Sequence, residues 1–297
     1  MNGLASSTLE AATIGPEVPL DPCAVSIHSV FPNAINLQPA LGGILITILN
    51  WPSPEYPQSI RLNSTEDFTA HGLQPNSSGL SSQAGISLDR SGAPPLHLSF
   101  AKAIRLPRRP LPSLRQAGAA WKAAVLMLAG LQVRAGTDLR VGVLLGHDSP
   151  QGALGLRLTA AVTALGEAVR AGAPDRAARA IPGLVGLGSG LTPSGDDFLC
   201  GFLIAAHCRF VQRHDPVQLL LGLKTAVLEC LPSTNAISAT FLRCAAEGKA
   251  CGDLHDLAQS LHDGTPSSPA LTNLCAYGHS SGMDIATGFL YGMSLWE

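Results

Sequence analysis

The sequence predicts an α+β protein: a small antiparallel β barrel or sandwich at the N-terminal end, followed by a mostly helical C-terminal domain. Three observations predict it. From Cys23 to about Pro107 the chain is a series of short apolar or alternating runs broken by Pro, Gly, Asn and Ser, the texture of strands joined by turns. Arg105–Pro112 reads R-L-P-R-R-P-L-P and cannot be a helix interior, because each proline removes an amide donor. Beyond Leu114 the texture changes to Ala- and Leu-rich windows of helical length.

In chain order, residues 1–22 lack periodicity and are expected to be flexible. The β-rich domain spans 23–107, with strands expected at Ala24–Phe31, Ala34–Leu37, Gly43–Leu49, Ser59–Leu62, Gly85–Leu88 and Leu96–Phe100. Asn63–Ser82 is polar and reads as a loop. The helical domain spans 108–297. Its expected helices are Leu114–Ala135, Leu156–Ala171, Asp175–Ala180, Ser194–Arg213, Pro216–Leu231, Asn235–Glu247, Asp253–His262 and Gly282–Leu295. Several are apolar on most faces, as helices inside a bundle are.

Composition narrows the function. Of 297 residues, 46% are hydrophobic and 13% charged, against roughly 25% charged in a typical domain. Such a chain is too apolar to be disordered. Net charge is −2, so no basic field argues for a nucleic-acid partner. No run approaches the roughly 18 consecutive apolar residues of a membrane span, and residues 1–22 lack the pattern of a signal peptide; a cytoplasmic protein is expected. The seven cysteines are scattered with no CxxC, which reads as small core residues in a reducing compartment rather than a zinc site.

The strongest local signal is Gly183–Gly201, G-L-V-G-L-G-S-G-L-T-P-S-G-D-D-F-L-C-G. A glycine-rich loop carrying Gly188 and Gly190 delivers the chain to a helix start at Thr192–Asp197. Thr192 with Pro193 is one sound start; Ser194 with Asp197 resembles a capping box. Either way, unpaired N–H groups at the positive end of the helix dipole suit a small anion. No Lys follows, so this is not a Walker loop, and the glycine spacing is wrong for a dinucleotide fingerprint.

A second segment repeats the first. Ser194–Leu203 and Ser281–Leu290 both read S-G-x-D-x-x-x-G-F-L. Glycine inside a helix costs about 1 kcal/mol relative to Ala, so Gly201 and Gly288 imply close approach by another backbone or a ligand. One reading is two helices crossing at these glycines. The other brings both helix N-termini together, with Asp197 and Asp284 facing one pocket. His279 precedes the second helix and is placed for proton transfer or anion contact. A third helix start, Ser233–Ser238, offers Asn235 and Ser238 to the same pocket.

At these residues the chain resembles a bacterial family long catalogued as a domain of unknown function, which includes the AllH-type subunit of the oxamate carbamoyltransferase of anaerobic allantoin degradation. The resemblance rests on Gly186–Gly201, Ser233–Leu242 and Gly278–Asp284, with a weaker match at Ile27–Leu37. It implies a subunit that works with two partner proteins, transferring a carbamoyl group between oxamate and phosphate. The expected catalytic residues are Asp197, His279 and Asp284. The expected ligand-binding residues are Gly188, Gly190, Thr192, Ser194, Gly195, Asp196, Asn235, Ser238, Ser280 and Ser281. Arg108 or Arg109 could add positive charge. Asp196, Asp197 and Asp284 would repel an anionic substrate unless they bind Mg²⁺ or hold donors in place. Two alternatives stand beside this reading. In one, the chain is a non-catalytic assembly subunit whose glycines and aspartates are packing devices. In the other it is a metal-dependent hydrolase or lyase using Asp196, Asp197 and His279.

Overall fold

A computed structural model describes residues 8–114, 118–210, 217–265 and 268–295. The chain divides into two compact units, Met1–Arg109 and Pro110–Glu297.

The first unit is a mixed β barrel. Its strands are β1 (Thr8–Ile14), β2 (Cys23–Phe31), β3 (Ala34–Pro39), β4 (Ile46–Leu49), β5 (Ser59–Leu62), β6 (Ser78–Ser82), β7 (Gly85–Arg90), β8 (Ala93–Ser99) and β9 (Ile104–Arg105). They run in the order β5-β4-β3-β2-β6-β7-β8-β1-β9, and a β5–β1 pairing closes eight of them into a ring. Alternation along the strands sends Ile27, Ile35, Leu37, Ile46, Ile48, Ile60, Leu62, Ile86, Leu88, Leu96 and Leu98 into one core.

Three expectations are corrected here. The sheet is mixed, because β4–β5 and β1–β8 pair in parallel. Residues 8–14 form β1, which fills the gap between β8 and β5; Leu9, Ala11 and Ile14 are buried, an alternation too short to stand out in sequence. The polar stretch 63–82 holds a 3₁₀ turn, Phe68–His71, and β6. Two of the Pro-rich arginines are used within this unit: Arg108 Nε pairs with Glu17 (3.0 Å) and Arg105 donates to the Pro16 carbonyl (2.8 Å).

The second unit is helical: α1 (Ala119–Ala135), α2 (Val141–Leu144), α3 (Gly152–Arg170), α4 (Pro174–Ala180), α5 (Ser194–Phe210), α6 (Val217–Cys230), α7 (Ala236–Ala246), α8 (Gly252–His262), α9 (Ser268–Cys275) and α10 (Ser281–Ser294). Positions 211–213 of the expected helix Ser194–Arg213 lie outside the described residues. The short helices α2 and α9 were not expected. His255 is buried and its ring bonds the Pro110 carbonyl (2.8 Å).

Helix α3 has the length and apolarity to cross a membrane. It is nonetheless one-sided: Leu158, Val162, Leu165, Ala168 and Val169 are buried, while Arg157, Glu167 and Arg170 are exposed. That is the pattern of a helix packed against a core.

At the centre lies α5, buried from Gly195 through Ala206, with α10 packed along it. The contact is reciprocal. A methyl at Gly201 would enter the Ile285 carbonyl, and a methyl at Gly288 would enter the Phe198 carbonyl. Each carbonyl belongs to the residue just after an SGxD aspartate, so the repeat in sequence is a repeat in packing. Trp121 of α1 holds the far end by donating from Nε1 to the Leu290 carbonyl (2.9 Å).

Candidate functional site

Crossing at the glycines places both helix starts together. Thr192 Oγ1 and Ser281 Oγ share a hydrogen bond of 2.7 Å. Asp197 of α5 lies beside Ser281, the first residue of α10, and beside Thr192. In return, Asp284 of α10 lies beside Ser194, the first residue of α5, and beside Ser280. The two helices thus exchange partners: the serine that opens each one faces the aspartate of the other.

Several backbone amides at the two helix starts are engaged within the chain. Gly195 N donates to the Leu187 carbonyl (2.8 Å), while Asp196 N and Asp197 N donate to the Pro193 carbonyl (2.9 and 3.0 Å). On α10, Gly282 N donates to Tyr277 O (3.1 Å) and Asp284 N to Ser280 O (2.9 Å). Gly195 and Gly282 are thus held by loop carbonyls, while Asp197 and Asp284 make the first i→i−4 bonds of their helices.

Hydrogen bonds are divided unequally between neighbouring carboxyls. Asp196 is fully engaged: Oδ1 accepts from Gly186 N (2.7 Å), and Oδ2 accepts from Thr234 Oγ1 (2.5 Å) and Ser238 Oγ (2.7 Å). Asp197 Oδ2 and both oxygens of Asp284 are buried without a hydrogen bond of normal geometry. Asp197 is 3% exposed and Asp284 1%. Burial pushes the Asp284 carboxyl up to about 7; the Ser194 and Ser280 hydroxyls oppose the rise, and the charge of Asp138 adds to it. Asp197 is raised well above the usual carboxylate range by burial, then by the charge of Asp284, with Ser281 and Thr192 opposing. Two buried carboxyls whose charges act on one another do not both ionise readily, so the pair holds its protons more tightly than free carboxyls do.

The remaining expected residues are placed as follows. Asn235 caps α7, accepting from Ile237 N and Ser238 N (3.0 Å each), and its amide donates to the Leu191 carbonyl (2.8 Å). With Ser238 and Asp196 it ties the glycine-rich loop to α7. Gly188 and Gly190 turn that loop at positive φ, +136° and +91°, where side chains are strained. Gly195 packs on the Leu184 carbonyl. His279, just before α10, is exposed. Among the described residues no three of His, Cys, Asp and Glu converge as a metal cluster, and three donors already occupy the Asp196 carboxylate.

Sequence reasoning missed Asp138. It sits in the turn after α1 and shares no spacing with the repeated motif; its proximity to Asp284 arises only when that turn packs on α10.

No solved structure matches the chain. Over residues 184–293 it matches the family described as oxamate carbamoyltransferase subunit AllH, and over residues 7–105 the AllH family N-terminal domain. The two stretches contain the barrel and the helix pair that carries the exchanged serines and aspartates, and the chain belongs to the AllH family of carbamoyltransferase subunits.

Proposed function

We propose that this chain is the part of an oxamate carbamoyltransferase, acting in allantoin breakdown, that holds the carbamoyl-bearing substrate where α5 and α10 begin. Asp197 and Asp284 act on the reacting group. Thr192, Ser194, Ser280 and Ser281 line it with hydroxyls. Asp196, Asn235, Ser238 and the loop glycines Gly188, Gly190 and Gly195 frame it, and His279 stands at its exposed edge, where a small anion arrives. The remaining subunits of the pathway enzyme are its partners; nucleic acid and membrane are not. The seven free cysteines agree with a reducing, cytoplasmic setting.

One observation carries this reading: two buried carboxyls with unsatisfied oxygens, ringed by hydroxyls contributed by both copies of a repeated motif. A structural core does not retain such groups without cost, since a buried polar atom lacking a partner costs roughly 1–3 kcal/mol. Protonation resolves the conflict with an anionic substrate. A neutral carboxylic acid donates a hydrogen bond where a carboxylate repels.

Carbamoyl transfer needs this chemistry. Attack by phosphate on the carbamoyl carbon of an oxamate-type N-carbamoyl substrate turns the carbonyl into an oxyanion, and donors aimed at it lower the barrier. The protonated Asp197 and the hydroxyls supply donors. The departing nitrogen takes a proton as its C–N bond breaks, and Asp284, near pKa 7, is poised to give one at neutral pH.

The test is carbamoyl phosphate formation from oxalurate and phosphate by the assembled enzyme. Asp284→Asn is expected to lower turnover by about 10²–10⁴-fold, the range of general acid–base catalysis, and Asp197→Ala by about 10²–10³-fold, the loss of one donor to the oxyanion, with the circular dichroism spectrum and assembly unchanged. Normal turnover in both variants would move the chemistry to the partner subunits. This chain would then be an assembly subunit, the reading that the packing of Gly201 and Gly288 on facing carbonyls favours.

A further inference from the structure

Asp284 is not aimed by bonds of its own: both of its carboxyl oxygens are buried without a hydrogen bond of normal geometry. Where it points therefore follows from where the first turn of α10 sits. On the α5 side that turn is set by the glycine crossing. From α1 it is tied by a buried amide outside the repeated motifs. Gln132, with no exposed surface, donates from Nε2 to Thr287 Oγ1 (2.7 Å) and to the Leu139 carbonyl (3.0 Å), and accepts at Oε1 from Val141 N (2.9 Å). Thr287 lies one turn after Asp284 on α10. Its hydroxyl passes the tie on, donating to the Met283 carbonyl (2.8 Å), which belongs to the peptide bond joining Met283 to Asp284. The other end of the tie is itself fixed. Gly155 of α3 packs on the Asp138 carbonyl, which a methyl there would meet at 2.8 Å. Arg140 reaches Asp148 and the Ser149 carbonyl at 2.7 Å each.

We propose that Gln132 and Thr287 are positioning residues for the buried acid: together they hold the peptide unit that carries Asp284 in the place from which its carboxyl meets the reacting group. This rests on the reading of Asp284 as a reacting acid; Gln132 and Thr287 act only through it. The tie is chemically specific. Both N–H groups of the Gln132 amide donate while its oxygen accepts, a combination that neither a carboxylate nor a thioether offers. The Thr287 hydroxyl accepts and donates at once, which a valine of the same shape cannot do. Displacing a reacting group by about 1 Å is enough to slow a reaction about 10²-fold, so a tie that fixes the backbone of Asp284 bears directly on rate. The same two helices share a second tie, from Trp121 Nε1 to the Leu290 carbonyl (2.9 Å), but it lies more than one turn beyond Asp284 and holds the far part of α10.

Cutting the two ties separately tests this. Thr287→Val keeps the shape of the side chain and removes the tie beside Asp284. In the assembled enzyme it is expected to lower kcat for carbamoyl phosphate formation by up to about 10²-fold with KM little changed, and Gln132→Met is expected to do the same. Thr287→Ser, which keeps the hydroxyl, is expected to keep kcat at the parent level. Amide hydrogen exchange in the full chain is expected to quicken over residues 281–287 in Thr287→Val and Gln132→Met alone. Trp121→Phe, which cuts the far tie, is expected to lower thermal stability and leave kcat unchanged. A purely structural role would make Thr287→Val behave like Trp121→Phe, with stability lowered and kcat of the folded enzyme kept; that result overturns the positioning role, even with Asp284→Asn inactive and the function above intact. An equal fall in kcat in Thr287→Ser and Thr287→Val overturns it as well, because the hydroxyl would then not be the link. Full activity in Asp284→Asn overturns it by a different route, and places the fault in the assignment of the reacting acid rather than in the tie.

Discussion

Asp196 and Asp197 are adjacent and both buried, yet they belong to opposite sides of the first turn of α5. On one side every carboxylate oxygen has a donor, and the acid ties the glycine-rich loop, Thr234 and α7 into one piece. On the other, a carboxyl faces a second carboxyl across a handful of hydroxyls. One side is held by its hydrogen bonds; the other stores unspent polar capacity. The difference separates what builds the site from what can act in it.

Four experiments break or sharpen that contrast. The largest effect is expected at the helix crossing, which both sides depend on. Gly288→Ala gains about 1 kcal/mol of helix propensity, but its methyl enters the Phe198 carbonyl. Overpacking costs about 1–3 kcal/mol where side chains can give; here the obstacle is the backbone of α5 itself, so the cost exceeds that range and outweighs every other change considered. Urea denaturation should show net destabilisation and loss of native α5–α10 packing.

Next comes the contrast itself. Asp196→Ala strands three donors around a buried site and should cost about 3 kcal/mol or more in the same assay, since each buried donor left without a partner costs about 1–3 kcal/mol. Asp197→Asn, which keeps the size of the side chain and strands no hydrogen-bonded donor on its Oδ2 side, should change stability by less than about 1 kcal/mol. Equal losses in the two would erase the distinction.

Third is pH. Because the folded Asp284 carboxyl is raised from 3.8 to about 7, the fold binds its proton more tightly than the unfolded chain does. The associated stability is fully present below the unfolded value and is lost as pH rises through the folded one. A shift of that size corresponds to at most about 4 kcal/mol between pH 4 and 7. Asp284→Asn should flatten that part of the stability–pH curve. The smallest effect is expected for Asn235→Ala: loss of the α7 cap should cost about 1 kcal/mol and leave Asp197 and Asp284 untouched.

Much of this architecture is visible in the chain before it folds. Strands β2 to β5 announce themselves because Ile27, Ile35, Leu37, Ile48 and Ile60 alternate with polar neighbours. The helix starts at Ser194 and Ser281 are marked by the S-G-x-D pattern itself. Residues 8–14 escape notice because a strand that bridges two others needs only a few apolar positions. His279 stands next to the motif in sequence and is exposed at the start of α10, a placement that the sequence could not fix. The amides at the start of α5 looked available to an anion, but Leu187 and Pro193 supply carbonyls that no periodicity reveals.

The sequence by itself determined a β-rich unit, a helical unit and a duplicated helix start, because alternation, helical spacing and repeated motifs are local properties written along the chain. Tertiary structure alone decided that each helix lends its opening serine to the aspartate of the other, that Asp196 is satisfied while Asp197 is not, and that the charge of Asp138 reaches Asp284. The physical reason is that desolvation and charge coupling depend on distance in space. Residues far apart in the chain acquire both only when Gly201 and Gly288 let two backbones touch.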